Sequence, residues 1–202
     1  MFIVFEGLDG SGGTTQLRLM ASALQRLNHP PEVVMTAEPS GGPVGRMIRE
    51  LLVQRIMGES VLPYLFTADR RDHLDRTILP GLARGAVVLS DRYLLSSLAY
   101  QSTALPMERV DVLNGDFPPP DATIMIDVPV ADCLDRIEKR GMTREIFETR
   151  ERLTTILAAY ERALDLRQSR GDRILRISGL GDPLEVHGRI VEALVAEGLW
   201  PS

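Results

Sequence analysis

The sequence predicts an α/β fold of three layers, a five-stranded parallel sheet with helices on both faces. Three observations carry that expectation. Short apolar runs alternate with stretches of helical spacing along the whole chain. Two of the runs, residues 2–5 and 86–89, are continuously apolar, as strands covered on both faces are. Polar turns rich in Gly or Pro follow the strands, where open parallel sheets place their ligands. No internal repeat or long linker interrupts the 202 residues, so a single domain over 1–202 is expected.

The elements follow in order. Residues 2–5 form a first strand, a glycine-rich turn follows, and the spacing of Leu17, Met20, Leu24 and Leu27 predicts a helix. Asn28, His29, Pro30 and Pro31 stop it. A second strand is expected at 33–35, ending in the polar turn 36–43, and a helix at 44–55. A long helical pattern spans 60–84, with Pro63 and Pro80 near its two ends. Strand 86–89 runs into Ser90, Asp91, Arg92 and Tyr93, and a helix begins near Ser96. Pro118, Pro119 and Pro120 lead into strand 122–128, followed by a helix over 130–140. After a break at Gly141 come a charged helix over 144–170, a strand at 173–177 and a last helix at 183–197.

Composition narrows the function. The net charge of −5 gives no electrostatic reason to expect nucleic acid as a partner, so an anionic ligand must be met by local cations. Lys139 is the only lysine, and arginine therefore carries almost all the positive charge. Cys133 is the only cysteine, which excludes an intrachain disulfide. No apolar run approaches the roughly 20 residues that span a bilayer. With no signal-peptide pattern at the start, a soluble cytoplasmic protein without membrane partners is expected.

The first turn carries the strongest chemical signal. Strand, glycine loop and helix make a phosphate cradle, because loop N–H groups and the helix dipole both point at an anion. The motif G-x-x-x-x-G-K-[ST] is matched by Gly7, Gly12 and Thr14, but its lysine position holds Gly13. Gly10, Ser11 and Thr15 complete the loop. The backbone cradle does not depend on the missing side chain, and Thr14 is placed to offer its hydroxyl to Mg²⁺. Asp91 at a strand end suits Mg²⁺ or its waters, and Arg92 suits a bidentate grip on phosphate; a surface ion pair is the plainer alternative. Phe66 and Arg70 lie one turn apart on a helix face. That pair could stack a base and bond its edge, or could be core packing beside a solvated charge. Glu38 in its Gly/Pro turn is equally open. Arg144, Arg150 and Arg152 suit a closing lid over about 140–152, or a solvated helix face. His29, His73 and His187 show no metal-ligand spacing and read as surface or capping residues; Cys133 reads as packing.

Taken together, the chain resembles the thymidylate kinases of the nucleoside monophosphate kinase family, a group with the P-loop NTPase-type fold. The resemblance rests on F-E-G-L-D-G at 5–10, E-P at 38–39, P-x-G-x-x-I-R at 43–49 and L-F-x-A-D-R at 65–70. It continues with D-R-Y-x-x-S-S-x-A-Y-Q at 91–101, P-D-A-T-I-x-I-D-V at 120–128, and R-x-x-F at 144–147 with Tyr160 downstream. It implies phosphoryl transfer from ATP to dTMP, with Mg²⁺, in a homodimer. By resemblance, Asp9 would bond the acceptor 3′-hydroxyl, Phe66 would stack thymine, and Arg70 with Ser97 or Gln101 would read its edge. Arg92 would hold the acceptor phosphate, Tyr100 would crowd the 2′ position, Asp91 and Thr14 would serve Mg²⁺, and Glu38 would lie near the metal or acceptor. Arg144 and its neighbours would supply the transition-state arginine. The departures are Gly13, Ala37 where relatives carry arginine, and Ser40 with Gly42 in the next turn. They leave two other readings in play: a kinase with another acceptor or donor, and a nucleotide-binding protein without turnover.

Overall fold

The computed structural model describes residues 1–54, 58–139 and 149–200. Five strands form one sheet: β1 (Phe2–Glu6), β2 (Val33–Ala37), β3 (Val87–Asp91), β4 (Ala122–Asp127) and β5 (Ile174–Ser178). Their order is β2-β3-β1-β4-β5, and every neighbouring pair is parallel. Period-two alternation divides the core between the two faces of the sheet. Ile3, Phe5, Val87 and Leu89 join the larger buried cluster, while Phe2, Val4 and Val88 join a second one with Leu74, Ile78 and Tyr93.

Helices cover the sheet as the spacing predicts. α1 (Gly13–Leu24) buries Leu17, Met20 and Leu24. α2 (Pro43–Gln54) follows β2, and α3 (Leu62–His73) follows α2. The long pattern over 60–84 is not one uniform helix. After α3 the chain makes a wider π-helical turn at Leu74–Ile78 and resumes as α4 (Leu79–Ala83), with Pro80 at its start. Proline has no N–H to donate, and such a turn accommodates the missing bond. A second π-helical turn, Ser97–Gln101, follows α5 (Leu94–Ser96). α6 (Met107–Leu113) has no counterpart in the sequence reading, although Pro106 and the buried pair Met107 and Val110 mark it. α7 (Val130–Lys139), α8 (Arg150–Gln168) and α9 (Pro183–Ala196) match the last expected helices within the described residues. Among the described residues no helix is long and apolar enough to cross a membrane.

Candidate active site

The site forms at the carboxyl ends of β1 and β3, which lie side by side with Phe5 opposite Asp91. The glycine loop leaves β1 there. At Gly10 φ is +85°, and a Cβ would stand 2.5 Å from the carbonyl oxygen of Cys133, so only glycine lets the loop pass α7. α1 then begins with no side-chain cap and no acidic residue in its first turn. Its leading N–H groups and dipole are thus available to an anion. The cradle is lined by the loop from Glu6 to Thr14 together with Asp91 and Arg92. The Thr14 hydroxyl donates to Asp91 Oδ2, bringing two hard oxygen donors together at its rim.

Gly13 sits within this cradle. A Cβ there would lie 3.3 Å from Asp91 Oδ1, close enough to require a small shift of that carboxylate. Among the described residues Arg92 is the only cation lining the cradle. Arg150 is exposed at the first residue of α8 and lines neither cleft, and Lys139 is exposed at the end of α7. Arg144 lies outside the described residues.

Arg92 joins the cradle to a second, more apolar cleft; Asp9 and Arg92 line both. Its φ is +75°, the only positive value among the described non-glycine residues. Such a conformation persists only where neighbours over-determine it. Here the Arg92 N–H donates to Phe5 O at 2.9 Å. Its guanidinium donates to Asp9 Oδ1 at 2.6 Å and Ser96 Oγ at 3.0 Å, and lies 4.8 Å from the Tyr100 ring centre. Burial opposes the charge, but Tyr100, Asp9, Tyr160 and Asp91 hold the group protonated well above its ordinary value.

Beneath Arg92 lies Glu6, 2% exposed. It accepts from the N–H groups of Tyr93 (2.8 Å) and Ser96 (3.1 Å), from Ser96 Oγ (2.5 Å) and from the Tyr160 hydroxyl (3.0 Å). Burial raises its carboxyl above the ordinary 4.5, against the pull of Ser96, Arg92 and Tyr93. Glu6 thereby ties β1, α5 and α8 into the floor under the shared arginine. The motif F-E-G contained Glu6, but neither spacing nor residue type distinguished it from any strand-end glutamate.

The second cleft is lined by Phe66, Arg70, Ser97, Tyr100 and Gln101 among others. Tyr100 donates its hydroxyl to Asp9 Oδ2 at 3.0 Å. Arg70 is 1% exposed and heavily engaged. Its guanidinium bonds Glu38 (2.5 Å), the Tyr93 carbonyl (2.8 Å), Ser97 Oγ (2.9 Å) and the side chain of Asn114, which caps the end of α6. Glu38 in turn contacts His73 Nδ1 at 3.2 Å, and His73 Nε2 lies 2.6 Å from Thr36 Oγ1. The reading of His73 as a surface residue is therefore corrected: it is 2% exposed and braces Glu38. Its signal was its position three residues after Arg70, on the same helix face. Gln101 Oε1 is buried and accepts no hydrogen bond from any described residue. Ser40, at a departure from the family pattern, caps Asp69 through its N–H (2.7 Å) and hydroxyl (2.6 Å), which anchors the turn after β2. Cys133 is packing, as expected; burial pushes its thiol up to about 12. At the cleft mouth Arg152 of α8 pairs with Glu59 at 2.7 Å.

The structure thus brings together Gly7, Gly10, Ser11, Gly12, Gly13, Thr14, Asp91 and Arg92 around the cradle, with Thr15 just beyond it. It brings Asp9, Glu38, Phe66, Arg70, Arg92, Ser97, Tyr100 and Gln101 around the second cleft.

Comparison with known proteins identifies the family. The thymidylate kinase family model matches residues 5–190. A thymidylate kinase of Akkermansia muciniphila is 37% identical over 194 residues, 95% of this chain and 90% of that protein. A thymidylate kinase of Xanthomonas oryzae is 37% identical over 165 residues, 80% of this chain and 72% of that one. The crystal structure of thymidylate kinase from Ehrlichia chaffeensis superimposes with a TM-score of 0.73 at 28% identity, covering 96% of this chain and 98% of that one. By sequence and by fold, the chain belongs to the thymidylate kinase family.

Proposed function

We propose that the protein phosphorylates dTMP to dTDP, taking the phosphoryl group from ATP held in the glycine cradle. The observation that carries this reading is the junction of the clefts. A polar, amide-lined cradle and an aromatic, hydrogen-bonding cleft share Asp9 and Arg92, so a donor phosphate and an acceptor phosphate would meet at one guanidinium. Phe66 would stack the thymine, and the unpartnered Gln101 Oε1 suits its ring N–H. Arg70 and Ser97 would present donors and acceptors to the same edge. Asp9 would accept from the 3′-hydroxyl, with Tyr100 beside it narrowing the sugar site.

The acceptor oxygen belongs to a phosphate already largely ionised, so no general base is needed. Positioning and charge neutralisation then do the work. Arg92 holds the acceptor phosphate. The N–H groups of residues 10–15 hold the donor phosphates. Thr14 and Asp91 are the oxygen donors that would hold Mg²⁺. Bound there, the ion would supply charge neutralisation for the donor phosphates. Arg144 or Arg150, from the lid over about 140–152, brings a further cation when the lid closes. This single-domain chain works in the cytoplasm as a homodimer.

A coupled assay of dTMP and ATP, with and without Mg²⁺, tests the activity. Turnover that requires dTMP and stops with EDTA is expected. Absence of dTMP-dependent turnover at high enzyme concentration would overturn the proposal. Sedimentation equilibrium decides the dimer.

A further inference from the structure

Glu38 and Arg70 both line the second cleft, and His73 does not. Yet His73 is held at both of its ring nitrogens by the chain segment that carries Glu38. Thr36, in β2, and Glu38, just past its end, are two residues apart, and period-two alternation sends both side chains the same way. His73, the last residue of α3, spans the pair, with Nδ1 3.2 Å from Glu38 Oε1 and Nε2 2.6 Å from Thr36 Oγ1. These partners fix the ring. A carboxylate paired with a guanidinium accepts and does not donate, so Nδ1 carries the hydrogen of the Glu38 contact. In the neutral ring Nε2 is then an acceptor, and the Thr36 hydroxyl donates to it.

The grip of Arg70 on Glu38 is lopsided. Oε2 accepts from Nε at 3.1 Å and from Nη2 at 2.5 Å, whereas Oε1 lies 3.3 Å from Nε. A guanidinium holding mainly one oxygen leaves the carboxylate plane free to turn, and it is His73 that holds the other oxygen. The carboxylate plane in turn sets the plane of the guanidinium, which donates to Ser97 Oγ as well. Glu38, Arg70 and His73 are all buried, so water does not take over a lost contact.

We propose that His73 is a positioning residue for the acceptor base. Through Glu38 Oε1 it fixes the plane of Arg70, and with it the hydrogen-bonding groups that Arg70 and Ser97 present to the base edge. The inference rests on the assignment of the second cleft to dTMP, and deepens it. His73 touches no substrate, and Thr36 keeps its ring in the tautomer that serves Glu38.

The test asks which nitrogen matters. Binding of dTMP is measured by calorimetry on the wild type and on His73→Leu, His73→Gln and His73→Asn. The asparagine amide places an N–H near the position of Nδ1, and the longer glutamine places its N–H near Nε2. Leucine and glutamine should weaken dTMP binding about 2- to 12-fold, the worth of one hydrogen bond, with ATP binding unchanged. Asparagine should restore it to within about twofold. A merely structural role would lower the urea midpoint in all three variants and leave dTMP affinity where it was, and that result overturns the inference. So does rescue by glutamine in place of asparagine. If no His73 variant folds, Thr36→Val decides, because it removes the hydroxyl that fixes the tautomer: weaker dTMP binding supports the inference and unchanged binding overturns it. The asparagine rescue without dTMP-dependent turnover would refute the proposed activity and leave the positioning role standing. Turnover with equal dTMP affinity in all variants would do the reverse, and a wild type that binds no dTMP would refute both.

Discussion

Restoring a lysine at position 13 gives the sharpest test of how the cradle handles charge. A single preorganised donor facing developing negative charge is worth about 2.7–4 kcal/mol. Two features of the structure reduce the gain here. The new Cβ would stand 3.3 Å from Asp91 Oδ1, so the carboxylate must give by a fraction of an ångström. The ammonium would also be drawn to Asp91, a pairing at a solvent-open rim that withholds about 1 kcal/mol. The remainder, about 2–3 kcal/mol, corresponds to about a 30- to 150-fold rise in kcat. The KM for dTMP should not change, since Phe66, Arg70 and Gln101 belong to the other cleft. Gly13→Ala isolates the steric part and should leave kcat within about twofold, because Asp91 is half-exposed and able to shift. If a lid arginine supplies part of the charge, Arg150→Ala or Arg144→Ala slows the wild type more than it slows Gly13→Lys, a non-additivity read in a double-mutant cycle. A folded Gly13→Lys enzyme with unchanged kcat would refute the reasoning, since the cradle would then have no charge to gain.

Three other perturbations follow from the same geometry. Phe66→Ala should raise the KM for dTMP about 5- to 100-fold by loss of base stacking, with the KM for ATP unchanged in the same steady-state assay. Arg70→Leu removes the guanidinium from the buried Glu38 carboxyl and leaves it only the His73 contact, and urea denaturation should show a loss of about 3–5 kcal/mol. Burial raises Glu6 above 4.5, so between that value and its folded value the native chain binds more protons than the unfolded one. Stability therefore falls as pH climbs through that window and is flat above it; Glu6→Gln should flatten the slope in urea midpoints taken between about pH 4 and pH 8.

Much of this molecule was legible in its sequence, for physical reasons that also explain what was not. The strands were visible because both faces of the sheet are covered, which leaves continuous apolar runs such as residues 86–89. The cradle was visible because close backbone approach to a phosphate demands glycine at fixed places. The buried polar braces were not visible. Helical spacing put His73 on the face of Arg70, but its meeting with Glu38, and that of Asn114 with Arg70, comes only after α3, the end of α6 and the turn after β2 fold against one another. The π-helical turns escaped because a wider turn changes hydrogen bonding without disturbing the hydrophobic pattern enough to read.

The pairing of Phe5 with Asp91 has a consequence for how this enzyme can vary. On the proposed assignment the donor grip leaves β1 and the acceptor grip leaves β3, and neighbouring strands sit about 4.8 Å apart in any sheet. The separation of the two reacting phosphates would then be set by the backbone of the sheet interior, which side-chain replacement scarcely alters. A change such as Gly13 can remove charge from the site and leave the distance between the reactants as it was. Mutation here acts on rate through electrostatics, with the line of attack held constant. That separation of variables makes the loop a place where catalytic power can drift, and be restored, without rebuilding the fold.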